Sequence, residues 1–273
     1  MTVYAGQGDA HRSLALLWGR PDAPDTGRGA GPGRSGPKPG LSTDAIVSAG
    51  IAVADAEGMA ALSMRAVGER LGRTAMALYT YVPGKAELLD LMHDRVLAEL
   101  PGGPPPSDDW RGAVTGWAEE LYSCYLRHPW VLQVSQARPV LGPAELTAME
   151  RLLEALRPAA LDPGRLRGAV AALWQFVRGT AATAADARGA AAATGVADED
   201  WWRARSARLA ELAPDFAQRF PLLTALQSAG GGAPGDDDRA AFRSGLALLL
   251  DGVAADATAT DGPPGDGPAT DRP

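Results

Sequence analysis

Between residues 63 and 85 the chain gathers side chains that can bind an anion or touch the edge of a base pair. Ser63, Thr74, Tyr79, Thr80 and Tyr81 bring hydroxyls, Arg65, Arg73 and Lys85 bring cations, and Ala75, Met76 and Ala77 add small or slender apolar surface beside them. Double-stranded DNA is the economical partner for such a set. Small residues let a helix backbone sit deep in the major groove, Ala and Met meet thymine methyls, Thr bonds base edges or phosphate, and tyrosine hydroxyls suit phosphate oxygens. Lys85 opens the helical pattern Lys85-Ala-Glu-Leu-Leu-Asp-Leu-Met directly after Pro83-Gly84. A cation in a first turn is opposed by the helix dipole, and a phosphate at that spot reverses the sign. Taken alone Lys85 reads as a solvated surface lysine; beside its neighbours it reads as a phosphate contact.

Two short helices hinged at a glycine must position this set. Ser63 is a good N-cap, Val67 and Leu71 lie one turn apart on one face, and Gly72 supplies the permissive backbone of a sharp turn. Thr74 is placed to cap the second helix, whose Leu78 and Val82 point inward and leave both tyrosines facing out. A preceding helix over about 43–57 carries Ile46, Val47, Ile51, Val53 and Ala54 on its core face, with Asp44 near its start and Gly58 as its stop. A following helix runs from Lys85 to Leu100 and ends at Pro101-Gly-Gly-Pro-Pro-Pro106, a natural boundary between two halves.

The run from Leu41 to Leu100 closely resembles the N-terminal domain of TetR-type transcriptional repressors, through Arg-Ala-Val-Gly-Glu-Arg-Leu-Gly, Ala-Met-Ala-Leu-Tyr and Lys-Ala-Glu-Leu-Leu-Asp. The resemblance implies that Ser63 and Arg65 stand at the start of the second helix, Thr74 to Tyr81 on the recognition helix, and Lys85 at the family's phosphate-contacting lysine. Arg73 departs from the small aliphatic residue usual after the turn glycine. Either its stem packs while its head snorkels, or it reaches a guanine or a phosphate, the last being preferred.

Further helical patterns fall near 109–127, 129–137, 143–157, 163–186, 198–211 and 237–254. With Arg127-His-Pro-Trp130, Arg138-Pro139, Trp201-Trp202 and Gly245-Leu-Ala-Leu-Leu-Leu-Asp-Gly252, the stretch from about 110 to 255 resembles the tetracycline-repressor-like C-terminal domain. That resemblance implies a four-helix dimer interface built by the helices at 163–186 and 237–254. The apolar stripes Leu166, Val170, Leu173, Trp174, Val177 and Leu246, Leu249, Leu250, Val253 permit it and equally suit the core of one protomer. A two-fold dimer sets two recognition helices on successive major-groove turns, hence a roughly palindromic operator. Trp117, Leu121, Tyr125, His128, Trp130, Val134, Trp174 and Phe176 are candidates to line an effector cavity, and each reads equally as plain core. Positions where tetracycline repressors carry drug-contacting and metal-binding histidines correspond to Pro101 and Val134. Metal-bound tetracycline is therefore not expected as effector, and a small apolar or aromatic one is; with one cysteine and no clustered metal-ligand spacing, no metal or cofactor is expected either.

Composition bounds these readings. The 273 residues, 46% of them hydrophobic, suit an all-α chain with an N-terminal three-helix helix-turn-helix domain and a C-terminal ligand-binding and dimerisation bundle, and no sheet is expected. The divisions are a flexible basic extension over 1–40, the reading domain over 41–100, the effector and dimerisation domain over 107–255, and a disordered tail over 256–273. The extension holds a short helical pattern at Arg12–Trp18 and a Gly/Pro tract with Arg28, Arg34 and Lys38, readable as a DNA arm or as a solvated linker. Leu14, Leu16, Leu17 and Trp18 are odd for a disordered tail and call for a docking place. Net charge is −7, but residues 1–85 carry nine Lys or Arg against seven Asp or Glu, a balance of +2 that leaves −9 elsewhere. The single Cys124 excludes an internal disulfide, and no membrane-length apolar stretch or signal-peptide pattern is present, which points to the cytoplasm. An enzyme fares poorly, since no phosphate-binding glycine loop, metal-ligand spacing or nucleophile with a base stands out; Glu119-Glu120 and Asp236-Asp-Asp238 read as solvated charge runs. The leading reading is a ligand-responsive repressor acting as a homodimer; the rival is a helical protein–protein interaction module without sequence-specific DNA binding.

Overall fold

The computed structural model describes residues 3–19, 41–101, 109–229 and 238–259. The Gly/Pro tract with its basic residues, the proline-rich break after Pro101 and the end of the chain after Ala259 lie outside them. The reading domain comprises α2 (Thr43–Glu57), α3 (Met64–Leu71), α4 (Ala75–Leu78) and α5 (Lys85–Leu97). Ser42 caps α2 through the Ala45 amide, and Gly58, at φ 80°, ends it. Ile46, Val53, Val67, Leu78, Val82, Leu88 and Met92 meet in its core.

The second half is a bundle of α6 (Trp110–Arg127), α7 (Pro143–Leu156), α8 (Pro163–Thr194) and α12 (Asp238–Ala259), with α9 (Asp198–Leu212), α10 (Phe216–Arg219) and α11 (Pro221–Ala229) between the last two. Asp162 caps α8, Pro163 fills its first position, and Gly195 in the left-handed region closes it. The alanine-rich run before Thr194 carries α8 beyond the expected end at 186, and alanines likewise carry α12 past 256 into the expected tail, because Ala favours helix more than any other residue. Tyr122 stacks on Phe242 at 4.4 Å and Phe176 on Phe242 at 5.7 Å, tying α6, α8 and α12 together. Leu173, Trp174, Val177, Leu246 and Leu250 are buried within the protomer, while Leu166, Val170, Leu249 and Val253 of the same stripes are half-buried. Cys124 is buried against the Val96 carbonyl, and burial pushes its thiol up to about 12.

Two expectations are corrected. A short parallel strand pair exists: β1 (Val3–Tyr4) pairs with β2 (Val134–Ser135). The segment 3–19 is built into the molecule rather than free, with α1 (Ala10–Leu17), capped by Asp9, packed on α5 and with Ala5, Ala15 and Leu17 buried. Of the run Leu14 to Trp18, Leu17 is buried there and Leu16 half-buried, whereas Leu14 and Trp18 stay exposed at the edge.

Candidate nucleic-acid interface and effector cleft

The turn between α3 and α4 depends on two glycines. Gly72 adopts φ 64°, ψ 35°, a conformation that L side chains resist. Gly68 allows close approach: a Cβ there would lie 2.7 Å from the Arg73 carbonyl, while the Arg73 amide donates to the Gly68 carbonyl at 2.8 Å. Ser63 Oγ accepts from the Ala66 amide at 3.1 Å, so its hydroxyl serves as the cap. Thr74 occupies the N-cap position of α4 but makes no side-chain cap, leaving its hydroxyl outward.

With Leu78 and Val82 fully buried, the opposite surface of this short helix stands in solvent. Met76 is 76% exposed and Tyr79 46%, and Arg73, Thr74 and Thr80 are exposed beside them, while Ala75 and Ala77 are half-buried. The helix expected over Thr74 to Tyr81 spans only Ala75–Leu78, and Tyr81, in the turn after it where its amide donates to the Leu78 carbonyl at 2.9 Å, is half-buried against the core rather than facing out. Arg65 forms an exposed pair with Glu69 at 2.8 Å. Lys85 is exposed in the first turn of α5, behind Gly84, which offers no side-chain cap.

Helix α5 joins this surface to the second half. Its Asp94 is buried and accepts from the amides of Ala144 and Glu145, each at 2.9 Å, so α5 caps the start of α7. Burial raises the carboxyl of Asp94 despite these bonds. Trp18 Nε1 donates to the Leu141 carbonyl at 3.1 Å, and the Leu141 amide donates to Glu145 at 2.7 Å. Leu141 is held between them at φ 59°, a left-handed conformation costing about 1–2 kcal/mol for such a residue.

Leu141 is also one wall of a cleft of about 560 Å³ between α7, α8 and the segment before α7. Leu146, Met149, Val170 and Trp174 give it an apolar lining, and Gln136, Glu145, Arg167 and Gln175 give it polar groups. Gln136 donates to Tyr125 Oη at 3.3 Å and accepts from Gln175 at 3.4 Å. Trp174 is the residue of the expected cavity set that lines this cleft. Trp117 packs on Trp174 at 5.4 Å and donates to the Ala148 carbonyl, Leu121 and Tyr125 lie in the core, and Phe176 joins the aromatic stack. Val134 is buried in β2, where Arg178 holds its carbonyl at 2.8 Å. His128 and Trp130 instead face Asp55 of α2. Aromatic composition flagged this set, but composition does not say which side of a helix opens onto a cleft. Gly68, Asp55, Asp94 and Glu145 were missed; the one hint was Asp90 and Asp94 in a segment otherwise patterned for the core. Among the described residues no group of three or more His, Cys, Asp and Glu could hold a metal ion, and no helix is long and apolar enough to cross a membrane.

An exposed helix-turn-helix carried on a small domain, braced by a long helix against a larger helical body with an apolar cleft, defines a helix-turn-helix regulator with a separate sensing domain. Residues 46–92 match the family described as bacterial regulatory proteins, tetR family, and residues 102–257 match the tetracyclin repressor-like C-terminal domain. The chain is 40% identical over 255 residues to the HTH-type transcriptional repressor DrrR1 of Streptomyces coeruleorubidus, covering 92% of this chain and 88% of that one. It is 32% identical over 260 residues to an HTH-type transcriptional regulator of Saccharopolyspora erythraea, covering 94% and 99%. The TetR family protein ActR of Streptomyces coelicolor, solved in complex with actinorhodin, is similar at a TM-score of 0.63 and 29% identity over 80% of this chain and 97% of that one. The chain belongs to the TetR family of transcriptional regulators.

Proposed function

We propose that this protein is a cytoplasmic repressor that binds a roughly palindromic operator as a homodimer and releases it when a small apolar or aromatic effector enters the cleft. Its role is binding rather than catalysis. The observation that carries the DNA reading is the exposed surface of α4 and the turn that follows it: Met76, Tyr79 and Thr80 stand in solvent while Leu78 and Val82 on the other side are fully buried. Arg73, Thr74, Ala75, Ala77 and Lys85 complete the contact set, Arg65 flanks it, Ser63 supports it as a cap, and Tyr81 contributes an edge. The apolar cleft with a few polar groups supports the effector reading, as does ActR's complex with actinorhodin. The helix α5, fixed to α7 through Asp94, is the route between them. An effector with different affinities for the two arrangements is sufficient to release DNA, and the coupling is reciprocal.

The test is binding to duplex DNA from upstream of the coding sequence, and to duplexes selected from a random pool, at several salt concentrations against a scrambled duplex. Specific binding that weakens with salt is expected, with Lys85→Ala lowering the log–log salt slope by about one. No preference for any duplex over the scrambled one would sink the reading and return the protein-interaction alternative.

A further inference from the structure

Residues 3–19 lie outside both family-matched regions, yet they are bonded to each half of the molecule. On one side they grip α5. The Gly6 amide donates to Asp90 at 2.8 Å and the Asp9 amide to Glu87 at 3.1 Å. Asp90 is 1% exposed, and a carboxylate so buried is costly without hydrogen-bond partners, so this end of the segment is a firm anchor. Gly8 passes so close to Glu87 that a Cβ there would collide with its carboxylate.

On the other side the segment grips the wall of the cleft. Val3 pairs with Val134 and Tyr4 with Ser135, and Trp18 bonds to Leu141. Gln136 and Pro139 lie between these two attachments and, with Leu141 itself, line the cleft. This end is the looser one: Trp18 is 50% exposed and Tyr4 51%. A hydrogen bond open to water is made and broken at little net cost, and the residue it holds, Leu141, sits in a strained conformation that two partners impose.

We infer that residues 3–19 form a strap that couples the cleft to the DNA-reading surface, with the anchor on α5 passing on movements of the cleft wall at Leu141. This rests on the assignment of reader and cleft made above. α5 begins at Lys85, so displacing the 134–141 segment pulls, through the strap, on the helix that carries the phosphate contact. By reciprocity, DNA holding α5 steadies the cleft wall.

Hydrogen–deuterium exchange of the full-length protein, with and without the duplex it selects, tests this. In the wild type, DNA is expected to slow exchange in segment 134–141 by about five-fold or more, as well as across α3 and α4. Trp18→Phe keeps an aromatic ring but removes the N–H, at an exposed site where folding is not at stake. With the strand pair at Val134 and Ser135 and the Asp94 joint to α7 left intact, it is expected to weaken the slowing around Leu141 by about two-fold or more while preserving that at α3 and α4. The strap is overturned if DNA slows α3 and α4 but not 134–141, or if Trp18→Phe responds as the wild type does. Absence of binding to any duplex overturns the DNA-reading assignment itself, a distinct failure that removes the basis of the strap.

Discussion

His128, at the end of α6, lies with Nδ1 2.8 Å from Asp55 of α2 and Nε2 3.1 Å from Glu99, just beyond α5. Trp130 Nε1 donates to the same Asp55 carboxylate at 2.9 Å. One acidic side chain of the reading domain thus satisfies two ring groups of the sensing domain, a second joint beside the one at Asp94. Asp55→Ala strands the indole of the buried Trp130 and is expected to cost about 1–3 kcal/mol. Urea unfolding measures it, and an unchanged midpoint would show that the joint is not part of the stability of the protein.

Gly68→Ala distinguishes helix propensity from close approach. In an unobstructed helix the change favours folding by about 1 kcal/mol. Here the new methyl meets the Arg73 carbonyl, a backbone atom that the Arg73 amide bond to Gly68 holds in place. Overpacking of this kind costs about 1–3 kcal/mol, so the net sign is expected to be destabilising. Operator binding is expected to weaken as well, since the turn that aims α4 has to open. A stabilised variant with normal DNA binding would refute the close-approach argument.

Filling the cleft separates the two sites. Ala171 lines it from an exposed position of α8, so Ala171→Trp adds bulk without emptying the core. Effector response, read as release of operator in a screen of aromatic compounds, is expected to be lost while operator affinity without effector stays within about two-fold, a difference under 0.5 kcal/mol. Full release by the same compounds would place their site elsewhere.

His93 sets a pH dependence. Burial in α5, and secondarily Arg178, push its pKa down from 6.5 to about 4. The unfolded chain binds the proton more readily, so the stability this residue permits is fully present above about 6.5 and is lost as pH falls toward 4, by about 3 kcal/mol in all. Asp90, Asp94 and Glu145, raised by burial, act with the opposite sign, losing stability as pH rises. The difference between wild type and His93→Leu in urea unfolding from pH 4 to 7.5 isolates the histidine. The variant is expected to lose less stability on acidification; parallel curves would contradict the assignment.

Much of the reader was legible because its determinants are local. Ser63 as a cap, Gly72 in the left-handed region and the inward Leu78 and Val82 follow from residue types within one or two turns, which are fixed by sterics and hydrogen bonds that the neighbouring sequence supplies. Most helices of the second half follow from periodicity in the same way, although the helix expected at 129–137 is a short 3-10 turn over Pro129–Gln133 followed by β2, α8 outran its expected end, and α10 and α11 were not foreseen. Thr74, placed as a cap, makes no such bond, since its backbone position alone does not decide where its hydroxyl turns.

Other features were decided only when distant segments met. The sequence by itself determined the helix-rich class and the glycine-hinged reader, because chain stiffness, capping and one-sided apolarity act over a few residues, and its family resemblance pointed to DNA as the partner. Tertiary structure decided that His128 and Trp130 face Asp55 rather than a cavity, that the cleft opens at Trp174 and Leu141, and that Trp18 reaches across 123 positions to bond that leucine's carbonyl. These contacts depend on how whole helices pack, and a buried polar group accepts whatever partner that packing delivers, a choice with no signature in the residues on either side of it.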